Sequence, residues 1–176
     1  MPDTWPHAVR LFLSHPAPQF LIGLVTSLVS YRCSVPQPLT PTEVLLIPVT
    51  VASWITHEYL VHRYILHMWG NRYHDIHHKL PYYHVSIDGP EIVIPSSVSV
   101  IAVCASTMRI HLAATVAATY LASGLFYIWV HYLCHTKVRP GSILRHFKNH
   151  HILHHLRDDT TKHSVSFPLV DRALGT

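Results

Sequence analysis

The sequence predicts an all-α integral membrane protein, with about four transmembrane helices and a histidine-rich helical cap at their cytoplasmic ends. Three observations predict it. The 176-residue chain is 49% hydrophobic and only 12% charged, and its apolar residues gather into runs approaching the roughly 20 that a helix needs to cross a hydrocarbon core about 30 Å thick. Most of its 18 histidines fall into four spaced groups: His62/His67, His74/His77/His78, His131/His135 and His151/His154/His155. Of the 13 Lys and Arg residues, only Arg32 and Arg109 fall on the face opposite the histidines, which makes the histidine face cytoplasmic by the positive-inside rule. By length the chain reads as a single membrane-embedded domain over residues 1–176.

The first apolar run, Ala17 to Tyr31, is short and holds Thr26, Ser27 and Ser30, so it reads as either spanning or re-entrant. No small-residue cleavage site follows Arg10, and no cleavable leader is expected. Pro36, Pro38 and Pro41 then force an extended connection, because proline fixes φ and its predecessor avoids the helical region. The second run, Val44 to Val61, carries Pro48, an expected kink, and continues into the first histidine groups. Loop signals follow at Pro81 and Asp88-Gly89-Pro90. The runs Ile92 to Met108 and Leu112 to Leu133 are joined by so few residues that only a turn fits, and the latter delivers His131 and His135. Two crossings therefore separate the first five grouped histidines from the last five, and both sets return to the same side of the membrane.

Imidazole suits iron, copper, nickel and zinc, whereas calcium and magnesium would need clustered carboxylates that are absent here. The three cysteines are odd in number and unclustered, giving neither a disulfide framework nor a thiolate zinc motif. Each half of the chain offers two histidines followed by an H-x-x-H-H triplet, hence five nitrogen ligands, and two halves suggest two metal ions. Residues on an α-helix advance about 100° each, so His131 and His135 lie about 40° apart on one face. Adjacent His77 and His78 diverge by about 100°, so one can serve each of two neighbouring metals, and His154 and His155 repeat that arrangement. His62 and His67, five apart, diverge by about 140° on a regular helix; they must straddle the site or use a π-bulge. Five nitrogens per metal leave a coordination position open, which implies catalysis. The outer imidazole nitrogens need acceptors, and Glu58, Asp75, Asn149, Asp158 and Asp159 are close enough in sequence to supply them. His84, Asp88 and His163 flank the groups and are candidates for a substrate entrance. His57 and His150 compete with His62 and His151 for the frame of their groups, but only His151 completes a triplet.

At these residues the chain resembles the fatty acid hydroxylase/sterol desaturase superfamily of membrane dimetal oxygenases, from about Glu58 to Thr176. The segments "EYLVHRYILH", "YHDIHHKLP", "HYLCH" and "HHILHH" resemble its four histidine boxes in order, and "SVSFPLVDRALGT" its C-terminal signature. The short interval from His67 to His74 resembles bacterial β-carotene hydroxylases instead. The resemblance implies that the ten grouped histidines hold two iron ions, replaceable by zinc in purified protein. It also implies O2 as co-substrate, a lipid substrate from the bilayer and hydroxylation of an acyl or related C–H bond. Carotenoid ring hydroxylation or sterol/lipid desaturation are the alternatives within the same chemistry. With no electron-transfer domain in the sequence, a separate ferredoxin, cytochrome b5 or reductase is expected as donor. The basic bias serves topology rather than nucleic-acid binding. A membrane metal transporter or storage protein is the rival of another class; it would favour ionisable residues at mid-span, whereas Glu43, Glu58 and Glu91 lie near predicted span ends.

Overall fold

The computed structural model describes every residue except Asn71, 83–85 and 158–159. Among the described residues all regular structure is helical, in the order α1 (Trp5–Ser14), α2 (Pro16–Ser34), α3 (Pro41–Leu60), a π-helical segment (Val61–Met68), α4 (Arg72–Lys79), α5 (Pro90–Thr107), α6 (Ile110–Cys134), α7 (Ser142–Leu156) and α8 (Leu169–Leu174). Three stretches are long and apolar enough to cross a membrane: Pro41–Met68, Pro90–Thr107 and Ile110–Cys134. The protein is integral to the membrane. The expected first span does not qualify alone; α1 and α2 pass only as a pair bent by 76° at their junction, where Pro16 starts a new helix. The count is thus three spans, or four if the bent pair makes one.

Proline sets most helix starts. Pro16, Pro41 and Pro90 each occupy the first position of their helices, where the missing N–H removes no intrahelical bond. Before Pro41, Thr40 and Glu43 form a capping box: the Glu43 N–H donates to Thr40 Oγ1 at 3.2 Å and the Thr40 N–H to Glu43 Oε2 at 2.8 Å. Helix α3 continues through Pro48 without a break.

The chain forms two compact units, each drawn from separate stretches. The second comprises Leu13–Trp54 and Asp88–Phe126. In it α2 packs on α5, and Cys104, Ala113 and Ala117 form a small-residue core with Leu28, Val100 and Met108 against it. Small residues allow close helix approach where lipid removes the hydrophobic drive to associate; at Gly124 an added Cβ would sit 3.1 Å from the Trp54 ring. A buried ion pair lies in the same unit. Arg32 Nη2 donates to Glu43 Oε2 at 3.0 Å and Arg32 Nε to Glu43 Oε1, while Thr115 Oγ1 donates to Oε1 at 2.8 Å. Two further guanidinium N–H groups reach the Gln37 and Pro38 carbonyls, both at 3.1 Å. Outward residues such as Leu45, Val98 and Val103 are more than half exposed, as lipid-facing side chains are.

The first unit comprises Met1–Phe12, Ile55–Ile87 and Tyr127–Thr176, and holds all ten grouped histidines. Helix α1 closes on α6, with the Phe12 ring 4.7 Å from Trp129 and the Tyr132 hydroxyl donating to the Ala8 carbonyl at 3.1 Å. Val130, Cys134 and Val165 form a core with Tyr127 and Phe147 against it, so the last turn of α6 is packed on the C-terminal segment.

Candidate metal centre

Four local geometries aim the histidines. His62 and His67 lie in the π-helical segment Val61–Met68, whose bonds run from residue i to i+5, as from the Trp69 N–H to the Tyr64 carbonyl at 3.1 Å. Residues five apart therefore stack on one face, and the pair converges where a regular α-helix would splay it. Helix α4 carries His74, His77 and His78; the end of α6 carries His131, with His135 one turn on; α7 carries His151, His154 and His155.

These side chains assemble into two groups of five: His62, His67, His74, His78 and His154 in the first, His77, His131, His135, His151 and His155 in the second. Within each, one ring nitrogen per residue lies within 4.8 Å of all the others. The division follows the helical period, by which adjacent members of a triplet diverge and can serve two neighbouring sites. Each group takes four histidines from one half and one from the other, because the adjacent members of each triplet point apart. His77 and His78 go to different groups, and so do His155 and His154.

In the first group His67 Nε2 lies 3.2 Å from His62 Nε2, 3.1 Å from His154 Nε2 and 3.0 Å from His74 Nε2. In the second, His135 and His151 Nε2 are 2.9 Å apart, His155 and His151 Nε2 3.0 Å, and His131 and His77 Nε2 3.1 Å. A ring nitrogen carries either one proton or one lone pair, so such crowding cannot be satisfied by hydrogen bonds alone. The outer nitrogens fix the tautomer of two members of the first group. His154 Nδ1–H donates to the Thr161 carbonyl at 2.6 Å and His62 Nδ1–H to the His163 carbonyl, leaving the inner Nε2 atoms as lone pairs aimed at one point. His78 Nε2 is buried with no hydrogen-bond partner among the described residues. Converging lone pairs at these distances suit a cation, and the all-nitrogen donor set suits a transition metal.

Electrostatics agree. Burial first, and then repulsion between imidazoles, pushes His78 and His135 down to about 3 and His74 to about 2. Burial brings His154 to about 4, partly countered by the Thr161 carbonyl, and holds His151 and His155 low as well. All are neutral near pH 7 and available as ligands.

The expected outer acceptors are placed differently. Glu58 is buried but touches no grouped imidazole; it accepts the Val165 N–H at 2.6 Å, the Ser166 N–H at 2.8 Å and the Ser166 hydroxyl. Asp75 and Asn149 are exposed on α4 and α7, with Asp75 at the rim of an opening described below. Asp158, Asp159 and His84 lie outside the described residues. His163 is not at an entrance: it is 2% exposed, its carbonyl holds His62, and its ring centroid lies 5.3 Å from that of His67 and 5.4 Å from that of His154. Asp88 is half-buried in the second unit, just before α5. His57 is exposed and outside both groups, and His150 turns away to Asp171, Nε2 to Oδ2 3.1 Å.

Sequence reasoning missed Asp171 and Ser86. Asp171, 1% exposed, accepts the His163 N–H at 2.9 Å, the Ser164 N–H at 2.8 Å and the Thr176 hydroxyl at 3.1 Å. Gly175, at φ +70°, makes the left-handed turn that returns Thr176 to it. The only signal in the sequence was its place in the C-terminal signature. Ser86 Oγ is 3.2 Å from His77 Nδ1. A polar opening of about 550 Å³ reaches the histidines, lined by His67, Asp75, His78, Lys79, His155, Leu156 and Arg157.

The fatty acid hydroxylase family model matches residues 47–176, a stretch that contains all ten histidines and the C-terminal loop. The chain belongs to the fatty acid hydroxylase family. Among curated relatives it is 28% identical over 147 residues to dihydroceramide fatty acyl 2-hydroxylase FAH2 of Arabidopsis thaliana, covering 75% of this chain and 60% of that protein. It is 30% identical over 175 residues to fatty acid 2-hydroxylase of Homo sapiens, covering 88% of this chain and 45% of the relative. The chain thus spans about half the length of these family members. A solved structure of full-length scs7p, in which only the hydroxylase domain is visible, shares the fold with TM-score 0.75 and 17% identity, over 91% of this chain and 64% of that one.

Proposed function

We propose that this chain is a membrane lipid hydroxylase that inserts oxygen from O2 into a C–H bond of a fatty acyl chain drawn from the bilayer, with an iron ion held in each histidine group. The observation that carries this reading is the pair of five-imidazole groups, in each of which one ring nitrogen per residue lies within 4.8 Å of all the others. Together the two irons would supply O2 activation and hydrogen removal from an unactivated carbon, one oxygen atom entering the substrate and the other leaving as water as two electrons and two protons are consumed.

The chain's own residues prepare that chemistry. His62, His67, His74, His78 and His154 would hold one metal, and His77, His131, His135, His151 and His155 the other. The Thr161 and His163 carbonyls keep His154 and His62 in the tautomer whose Nε2 is free. Burial keeps the imidazoles neutral, so they need not lose a proton to bind. The opening between Asp75, Lys79 and Arg157 gives a polar approach for protons, and electrons arrive from a separate donor of ferredoxin, cytochrome b5 or reductase type. The bias of basic residues toward this end supports a cytoplasmic position for it.

The relatives named as fatty acyl 2-hydroxylases favour an acyl chain over a carotenoid ring, and carbon 2 as the position. Expression in a bacterial membrane supplied with a matching reductase, followed by mass spectrometry of hydrolysed lipids, tests this. Appearance of 2-hydroxy fatty acids with the native chain, and not with His154→Ala, is expected. Hydroxylated carotenoid without hydroxy acid would transfer the proposal to the carotenoid alternative, and no oxidised lipid despite two bound metals would overturn it in favour of metal transport or storage.

A further inference from the structure

The two histidine groups differ in how their outer nitrogens are held. In the first, both carbonyls that receive imidazole protons come from one short loop: Thr161 holds His154 and His163 holds His62. That loop has almost no regular structure of its own. Two buried carboxylates clamp it instead. Asp171 accepts the backbone N–H groups of His163 and Ser164, and Glu58 accepts those of Val165 and Ser166, so four consecutive amides are bound by two side chains. Asp171 is also tied to α7 through His150, and Glu58 is the residue of α3 that leads into the π-helical segment. In the second group His77 Nδ1 meets the Ser86 hydroxyl and His135 is approached by the Pro81 carbonyl, while His151 and His155 have buried Nδ1 atoms with no partner among the described residues.

From this asymmetry we infer that Asp171 and Glu58 are positioning residues for the first metal position alone, acting through the C-terminal loop, and that the two positions differ in how tightly they retain metal. Neither carboxylate touches a ligand; each fixes the backbone whose carbonyls aim His62 and His154. Partners of this kind typically change metal affinity by about 10- to 100-fold. The second group leaves the His151 and His155 Nδ1 atoms without such a carbonyl among the described residues, so that position should release its ion first. The inference rests on the two-metal reading proposed above.

The test is zinc retention by the detergent-purified full chain against a chelator, followed by elemental analysis. The native protein should hold two zinc equivalents and release them in two phases; fewer than two would sink the metal reading itself. Asp171→Asn cannot accept four donors as a carboxylate does. In a His135→Ala background, where the first group holds the remaining zinc, it should speed release by about 10- to 100-fold. In a His67→Ala background, where the second group holds it, release should be unchanged. Equal acceleration in both backgrounds would reduce Asp171 to a general fold residue, and no acceleration in either would also overturn the inference. Glu58→Gln keeps one oxygen for the Val165 and Ser166 amides and loses the Ser166 hydroxyl bond. It should give a smaller effect with the same selectivity, and it decides the question if Asp171→Asn fails to yield a monodisperse protein. Single-phase release from the native chain would contradict the inequality of the two positions.

Discussion

Both compact units bury polar groups, and they do so in opposite ways. In the second, Arg32 and Glu43 largely satisfy each other: the carboxylate oxygens meet the guanidinium, the Thr40 amide and hydroxyl and the Thr115 hydroxyl, and two further guanidinium N–H groups find backbone carbonyls. In the first, ten imidazoles crowd their ring nitrogens into two clusters and leave His78 Nε2 with no hydrogen-bond partner among the described residues. A polar cluster that satisfies itself is scaffold, whereas one that crowds more ring nitrogens around a point than their protons can bridge is built for something else. Burial alone does not distinguish them, since Glu43 and His154 are both fully buried; the count of protons against lone pairs does.

The strongest way to break this comparison is to remove a lone pair. His151→Ala should abolish lipid hydroxylation and cut bound metal to about one equivalent per chain, with membrane insertion retained, read by product analysis and elemental analysis on the same sample. Two retained equivalents would mean that the imidazoles satisfy one another after all.

Stripping the metal exposes the same imbalance to acid. Unfolded imidazoles take protons near pH 6.5, whereas His74, His78 and His135 in the folded metal-free protein resist down to about 2, 3 and 3. Below pH 6.5 the unfolded chain therefore binds more protons, and folding stability, complete above that pH, declines by about 1.4 kcal/mol per pH unit for each such histidine until the folded values are reached. Thermal melting of the metal-free protein in detergent should show a steep fall in midpoint between pH 7 and 5. A flat profile would show that the cluster is not closed to water.

Breaking the Arg32–Glu43 pair should act on stability without chemistry. Glu43→Ala leaves the Arg32 guanidinium buried and unpaired, which costs about 3–5 kcal/mol. The expected readout is a lower melting midpoint in detergent with metal content per folded chain unchanged. Thr40→Ala removes only the capping-box hydroxyl at the start of α3 and should cost about 1 kcal/mol. A larger loss would mean that Thr40 matters more to the ion pair than to the helix start.

Much of this was legible in the sequence because it depends on spacing along one helix. The apolar runs marked the spans, apart from the first, which lies within α2 and passes only as a pair with α1 across the bend before Pro16. His131 and His135 at i and i+4 had to share a face, and the five-residue interval between His62 and His67 already required either straddling or a π-helical turn. Other features depended on which distant segment arrives at a given point. Glu58 stands four residues before His62 and looked like an acceptor for an imidazole, yet the loop at 163–166 reaches it first with two backbone N–H groups. Arg32 read as a cation left on the far face for topology; Glu43 and Thr115 enclose it instead.

By itself the sequence determined the chemistry available to this protein: ten spaced imidazoles, few carboxylates near them, and apolar helices to set them at a membrane, because residue type and helical period are local properties. Only the tertiary structure decided the partition. His77 joins one group and His78 the other, His154 crosses to the histidines of the first half, and Asp171 binds the loop whose carbonyls meet His62 and His154. Neighbouring imidazoles on a helix are chemically identical and differ only in direction, and direction acquires meaning only when another helix supplies what it points at.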